Sequence, residues 1–116
     1  MKRELGRWGE KIASDYLMQK GYKILARNYY TRYGEIDIIC QRDGILVLVE
    51  VKTRQNLHYG EPEEAVTTRK ISHIRKAAAV YLNQTDVFYK EIRFDVISIL
   101  LEEKRYEIKH IENAFY

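Results

Sequence analysis

Between residues 3 and 20, apolar side chains recur every three or four positions. Leu5, Trp8, Ile12 and Tyr16 set the stripe, and Ala13 and Leu17 widen it. That period predicts an amphipathic helix, and Gly21 supplies its stop. From residue 22 the pattern changes. Segments 22–29, 34–41 and 45–53 read as strands. Asp43-Gly44, between the second and third, is a two-residue hairpin signal because a type I′ turn needs positive φ at both positions. Residues 54–61 are polar, carry Gly60 and read as a loop. Pro62 followed by Glu63 and Glu64 predicts a helix start, with acids at the positive end of the dipole. A break is expected near Thr67-Thr68, where Thr caps a new turn. The helix then runs to about Leu82 on Ile71, Ile74, Ala78, Tyr81 and Leu82, and Asn83-Gln84-Thr85-Asp86 ends it. Two more strands are expected at 91–101 and 105–111. A helix between strands allows a crossover, so the class is α/β, with a mixed central sheet flanked by helices. Nothing in the pattern divides the chain, and residues 1–116 read as a single domain.

The segment from Ile45 to Val49 is unbroken apolar sequence, as in a strand covered on both faces. It leads into Glu50, Val51 and Lys52. Alternation puts Glu50 and Lys52 on the same face as Leu46 and Leu48, where an uncompensated charge costs several kcal/mol, order of magnitude, or is neutralised. With Asp43 and Gly44 as the turn, Arg42 faces Ile45, Asp37 faces Glu50 and Glu35 faces Lys52. Directly opposed residues have Cβ atoms about 4.5–5.5 Å apart. Two opposed carboxylates repel, and a divalent cation between them removes the conflict; Mg²⁺ prefers such hard oxygen ligands. On the first helix, Glu10 lies at the edge of the apolar stripe, near the line of Gly6, Ala13 and Leu17. Small Gly6 and Gly9 would let that helix approach the sheet and aim Glu10 at the pair.

The segments Gly6-Arg7-Trp8-Gly9-Glu10, Arg27-Asn28, Gly34-Glu35-Ile36-Asp37, Val49-Glu50-Val51-Lys52-Thr53-Arg54, Lys70 and Arg93-Phe94-Asp95-Val96 occur in this order. Together they resemble the uncharacterised bacterial YraN-like family of the PD-(D/E)XK restriction-endonuclease-like superfamily, over about residues 6–97. Ile36 stands where the superfamily has Pro. The resemblance implies an α-β-β-β-α-β core and a metal-dependent endonuclease acting on DNA. In that reading Asp37, Glu50 and the Val51 carbonyl hold Mg²⁺ or Mn²⁺. Lys52 orients water or neutralises developing charge, and Glu10 adds a ligand or outer contact. The similar archaeal Holliday-junction resolvases also carry an acid on their first helix, which points to branched repair or recombination intermediates as substrates. Lys70 heads the stripe of Ile74, Ala77 and Tyr81 and is expected to contact phosphate.

Arg27-Asn28-Tyr29-Tyr30-Thr31-Arg32-Tyr33 interleaves aromatics with cations, which suits nucleic acid. Arg27, Tyr30, Arg32, Arg54 and Lys70 are the candidate contacts. A solvated strand end with surface tyrosines accounts for the same residues. Arg69, Arg75 and Lys76 make the second helix basic, as an ordinary charged face also does. Arg93 and Asp95 read as a structural pair, and His58 and Tyr59 as a substrate rim. The net charge of +3 fits an anionic partner without identifying one. Cys40 is the single cysteine, so no intrachain disulfide and no Cys/His zinc pattern can form; its alternation with Ile36 and Ile38 makes it an inert core thiol. Met1-Lys2-Arg3-Glu4-Leu5 lacks a signal-peptide core, and Ile45–Val49 is far too short to span a membrane. The expectation is a cytoplasmic protein. Cutting both strands of a duplex would call for a homodimer. Two alternatives are a nucleic-acid-binding module with a vestigial site, and a structural protein whose Asp37, Glu50 and Lys52 only fix strand register.

Overall fold

The computed structural model describes residues 2–55 and 67–114. Helix α1 (Lys2–Gln19) precedes the strands β1 (Lys23–Thr31), β2 (Gly34–Arg42) and β3 (Ile45–Arg54). Helix α2 (Thr68–Gln84) follows, and then β4 (Glu91–Glu102) and β5 (Arg105–Ile111). The strands form one sheet in the order β1-β2-β3-β4-β5. All neighbours are antiparallel except β3 and β4, which are parallel and joined through α2. The architecture is therefore α/β with a mixed sheet and a helix on each face. Among the described residues no helix is long and apolar enough to cross a membrane.

Local chemistry sets the ends of these elements. Gly21 takes φ +90°. Its N–H donates to the Met18 carbonyl and the Tyr22 N–H to the Leu17 carbonyl, both at 3.0 Å, so α1 closes in a Schellman motif with Leu17 and Tyr22 packed in one cluster. Asp43 (φ 53°) and Gly44 (φ 80°) make the tight turn, and Arg42 pairs with Ile45 as expected. Thr67 caps α2 by accepting the Lys70 N–H at 3.1 Å. The expected earlier start at Pro62, the Gly60 loop, and His58 and Tyr59 lie outside the described residues.

Two apolar layers hold the sheet. On one face Ala13 and Leu17 of α1 pack with Ile38, Cys40, Val47, Val49, Ile97 and Ile99. On the other, Ala77, Ala78 and Tyr81 of α2 pack with Ile36, Ile39, Leu46 and Leu48. Trp8, Ile12 and Tyr16 are only partly buried, so the buried centre of α1 is the Gly9–Ala13–Leu17 line. The helix approaches the sheet through Gly9, where a Cβ would lie 1.8 Å from Thr53 Oγ1; Gly6 has nothing within 4 Å and plays no part in that approach. Cys40 is a buried free thiol, and burial pushes its pKa up to about 12.

Ile36 and Ile38 pack on opposite faces. Cys40 therefore shares its layer with Ile38 but not with Ile36, contrary to simple alternation. The alternation breaks at Asp37.

Candidate active site

The break at Asp37 coincides with the end of a ladder. β2 and β3 stay paired from Arg42↔Ile45 to Ile38↔Val49, in the register the turn dictates. The next step would join Asp37 to Glu50, and there the pairing stops. β3 continues beside β4 as far as Arg54. Asp37 Oδ2 instead accepts the Val51 N–H at 2.8 Å. A carboxylate thus takes the place of a backbone acceptor at the point where two central strands part.

β1 shapes the opposite side. Asn28 falls between the pairs Arg27↔Ile38 and Tyr29↔Ile36 and has φ 51°. This left-handed conformation is one that Asn tolerates better than most residues. Its side-chain amide donates to Glu10 Oε1 at 2.8 Å and to Glu35 Oε1 at 3.1 Å. One amide therefore ties an acid of α1 to an acid of β2. Glu10, Glu35 and Asp37, all half-buried, each present a carboxylate oxygen within 4.8 Å of the other two.

Lys70 feels the Asp37 charge. Burial first, and then the Glu50 charge, push the Asp37 carboxyl up to about 8; Glu10 and Glu35 add to the rise, and the Val51 N–H opposes it. Glu50 itself is turned to other partners. Lys70 Nζ lies 2.6 Å and Lys52 Nζ 3.3 Å from its Oε1. The two ammoniums compete for one carboxylate. Burial lowers the Lys52 pKa, and its neighbour Lys70 lowers it too, against the pull of Glu50. Burial also works against the charge on Lys70, but its hydrogen bonds and the Glu50 charge outweigh this and raise its pKa.

The sequence-derived residues fall as follows. Asp37, Glu10 and the Val51 backbone meet in one cluster. Glu50, Lys52 and Lys70 form an adjoining ion-pair group that Lys70 enters from the first turn of α2. The anticipated Asp37–Glu50 repulsion is present as an electrostatic effect on Asp37. The three-acid group, however, takes Glu35 rather than Glu50. Sequence reasoning set Glu35 opposite Lys52 and gave it no role. Its position two residues before Asp37 was the signal, but the break in alternation concealed which acids converge. Asn28 was read as part of a family segment, Arg27-Asn28, and of an aromatic, cationic stretch, and was given no role at the acids.

The outlying candidates lie on β1, in the β1–β2 turn and at the end of β3. Arg27 is exposed on β1, Tyr30 is 73% exposed, and Arg54 ends β3 half-buried. Arg32 stacks over Tyr33 at 4.8 Å and donates to its hydroxyl at 2.6 Å. The Arg93–Asp95 pair is structural and larger than expected. Asp95, fully buried, accepts from Arg93 Nε and Nη2 (both 2.9 Å), His110 Nε2 (2.7 Å) and the Asn113 N–H (3.0 Å). Arg93 also donates to Tyr22 Oη at 2.6 Å.

The fold and the site together define an α/β protein that gathers carboxylates and lysines where its central strands separate. The chain belongs to the uncharacterised protein family UPF0102, whose sequence model matches residues 9–99, a span that takes in both side-chain groups of the site. This is the YraN-like family to which the ordered motifs pointed. Among its relatives, a UPF0102 protein of Syntrophomonas wolfei is 57% identical and covers 99% of this chain and 100% of its own. A UPF0102 protein of Natranaerobius thermophilus is 48% identical over 95% of each chain. UPF0102 protein FP2501 of Flavobacterium psychrophilum is 43% identical over 97% of this chain and 94% of its own.

Proposed function

We propose that the protein is a metal-dependent nuclease that hydrolyses phosphodiester bonds of DNA, with branched repair or recombination intermediates as the substrate class. One observation carries this reading. Three carboxylates converge within 4.8 Å with a proton-retaining Asp37 among them, directly beside a glutamate that holds two lysines. Such a cluster fits a divalent cation: the donors are hard oxygens, and the excess negative charge that raises the Asp37 pKa is what a cation would relieve.

In this mechanism Glu10, Glu35 and Asp37 hold Mg²⁺ or Mn²⁺. The bound cation supplies Lewis acidity and positive charge at the phosphate. Asn28 fixes the two glutamates relative to each other, and the Val51 N–H fixes Asp37. Lys70 Nζ keeps its proton and meets phosphate charge. Lys52 Nζ, an ammonium held by Glu50, orients the attacking water and meets the negative charge that develops on the phosphate, and the proton that the water loses passes to solvent. Glu50 holds both ammoniums in place.

The test is a cleavage assay on end-labelled linear duplex, single-stranded, flap and four-way-junction DNA with Mg²⁺, Mn²⁺ or EDTA. Metal-dependent cutting is expected, abolished in Asp37→Asn. Absence of cutting on every substrate in both metals overturns the reading. Binding that persists in EDTA without cutting would identify a nucleic-acid-binding module.

A further inference from the structure

A cleft of about 720 Å³ opens between the β1–β2 turn and the outer flank of α2. That volume lies within the range of pockets that hold small organic ligands, roughly 300–1,000 Å³. Its walls are Arg32 and Tyr33 on one side and Lys76, Ala79, Val80 and Asn83 on the other. None of its lining residues is acidic. The floor is apolar, and the rim carries cations already drawn to an aromatic ring. The Arg32 guanidinium lies 4.8 Å and the Lys76 ammonium 5.7 Å from the Tyr33 ring centre.

Both walls lead to the acids. On the sheet side, Tyr33 is followed by Gly34 and then Glu35 at the start of β2. On the helix side, Lys70, His73 and Lys76 recur at three-residue spacing, so they share a flank of α2. The walls come together at Gly34, where a Cβ would stand 3.9 Å from His73 Cβ. Lys70 holds Glu50 at one end of this flank, and Lys76 faces the cleft at the other. Six residues of helix separate them by about 9 Å along its axis.

We propose that this cleft receives an unpaired nucleotide strand leaving the Glu10–Glu35–Asp37 cluster, so that the substrate is single-stranded at or beside the scissile bond. The assignment rests on the nuclease reading for the direction of the strand. Binding in the cleft itself needs no catalysis. A base lies against Ala79, Val80 and the Tyr33 ring, where every base has a π-face to offer. Arg32 and Lys76 exchange their hold on the ring for the flanking phosphates. The Asn83 amide offers a donor and an acceptor to the base edge. Paired bases are stacked inside a duplex and cannot enter, which makes the cleft selective for unpaired strand.

The test is fluorescence anisotropy in EDTA with labelled oligo-dT, oligo-U and a duplex of equal length, using Asp37→Asn as the parent so that cleavage plays no part. Lys76→Ala, Arg32→Ala and Tyr33→Leu are added to that parent. Lys76 and Arg32 are exposed, and melting curves confirm each fold. The expected result is roughly tenfold weaker single-strand binding for Tyr33→Leu. For each cation variant the salt slope falls by about 0.7, while duplex binding changes little. The two oligonucleotides distinguish DNA from RNA as the source of the strand. Single-strand binding unaffected by all three changes overturns the proposal, as does a duplex bound as tightly and weakened to the same degree. If these variants weaken binding while the native chain cuts nothing, the cleft stands and the nuclease reading fails.

Discussion

Asp37 on β2 and Asp95 on β4 flank the central strand β3 of one sheet, and their proton affinities are shifted in opposite directions. Asp95 is fully buried, and burial alone would raise its pKa. Hydrogen bonds from His110, Arg93 and the Asn113 N–H outweigh burial and hold the carboxyl below its ordinary value. Asp37 keeps some exposed surface, but burial is the largest cause of its rise to about 8; Glu50, Glu10 and Glu35 add to it, and a single N–H bond opposes them. Burial raises both carboxyls, and only Asp95 has the donors to overcome it. A carboxylate with every lone-pair direction filled stiffens the fold. One left short of positive charge is poised for a ligand that brings it.

The hardest blow to this contrast is Asp95→Ala. It strands the His110 Nε2 and leaves the Arg93 guanidinium only Tyr22 and Glu112 among the partners described, and the expected loss is about 3–5 kcal/mol in chemical denaturation. The depressed pKa of Asp95 also has a pH signature. Its stabilisation is present above the unfolded carboxylate value near 3.9 and is lost as pH falls through the lower folded value. Acid unfolding that is unchanged in the variant would remove Asp95 from the structural side of the comparison.

A smaller effect is expected from Gly9→Ala. The new methyl meets Thr53 Oγ1 at 1.8 Å and Thr53 Cβ at 2.9 Å, so α1 must back away and carry Glu10 with it. The expected cost is about 1–3 kcal/mol, with weaker Mg²⁺-dependent thermal stabilisation. Thr53→Ala in the same chain should restore part of both. Full stability with full metal response would show that the close approach does not place Glu10.

Asp37 itself gives a sign opposite to that of Asp95. A folded pKa near 8 against an unfolded value near 3.9 means the native state holds a proton that the unfolded state has lost. Its stabilisation is complete below about pH 4 and is lost as pH rises toward 8, by up to about 1.4 kcal/mol per pH unit. Thermal melts of Asp37→Asn should lose that slope and match or exceed the native chain at pH 8. Saturating Mg²⁺ should flatten the slope of the native chain and raise its Tm, since a ligand that binds only the folded state stabilises it. A native chain whose Tm is indifferent to Mg²⁺ between pH 6 and 8 would mean that the acids do not take the cation.

The mildest change is Lys70→Ala. Its side chain is 32% exposed, so the stability effect should stay within about 1 kcal/mol. The informative readout is Lys52. Without the second ammonium its pKa rises, so the alkaline limb of the pH–rate profile should move to higher pH. An unmoved limb would show that the Lys52 charge is not required.

The elements were legible because each rests on local rules. Leu17, Gly21 and Tyr22 are enough to end α1, Asp43-Gly44 is enough to turn β2 into β3, and Thr67 is enough to cap α2. The register down to Ile38↔Val49 followed from the turn alone. Part of the site was legible for the same reason: Asp37, Glu50 and Lys52 carry charge where the apolar pattern calls for burial. Glu35 was not, because its convergence with Glu10 depends on the parity break at Asp37 and on Asn28 in a left-handed conformation. His110 was not either, since its bond to Asp95 spans 15 positions and depends on β5 folding back along β4.

Sequence by itself determined where the chain turns, which residues face the core and which acids lie on the central strands, because each depends on neighbours within a few positions. Only the tertiary structure decided which carboxylates share a space, which lysines answer Glu50 and which aspartate is satisfied. Those outcomes depend on where the β2–β3 ladder ends and how closely α1 and α2 approach it. Electrostatic partners are chosen by distance in space, and separation along the chain does not set that distance.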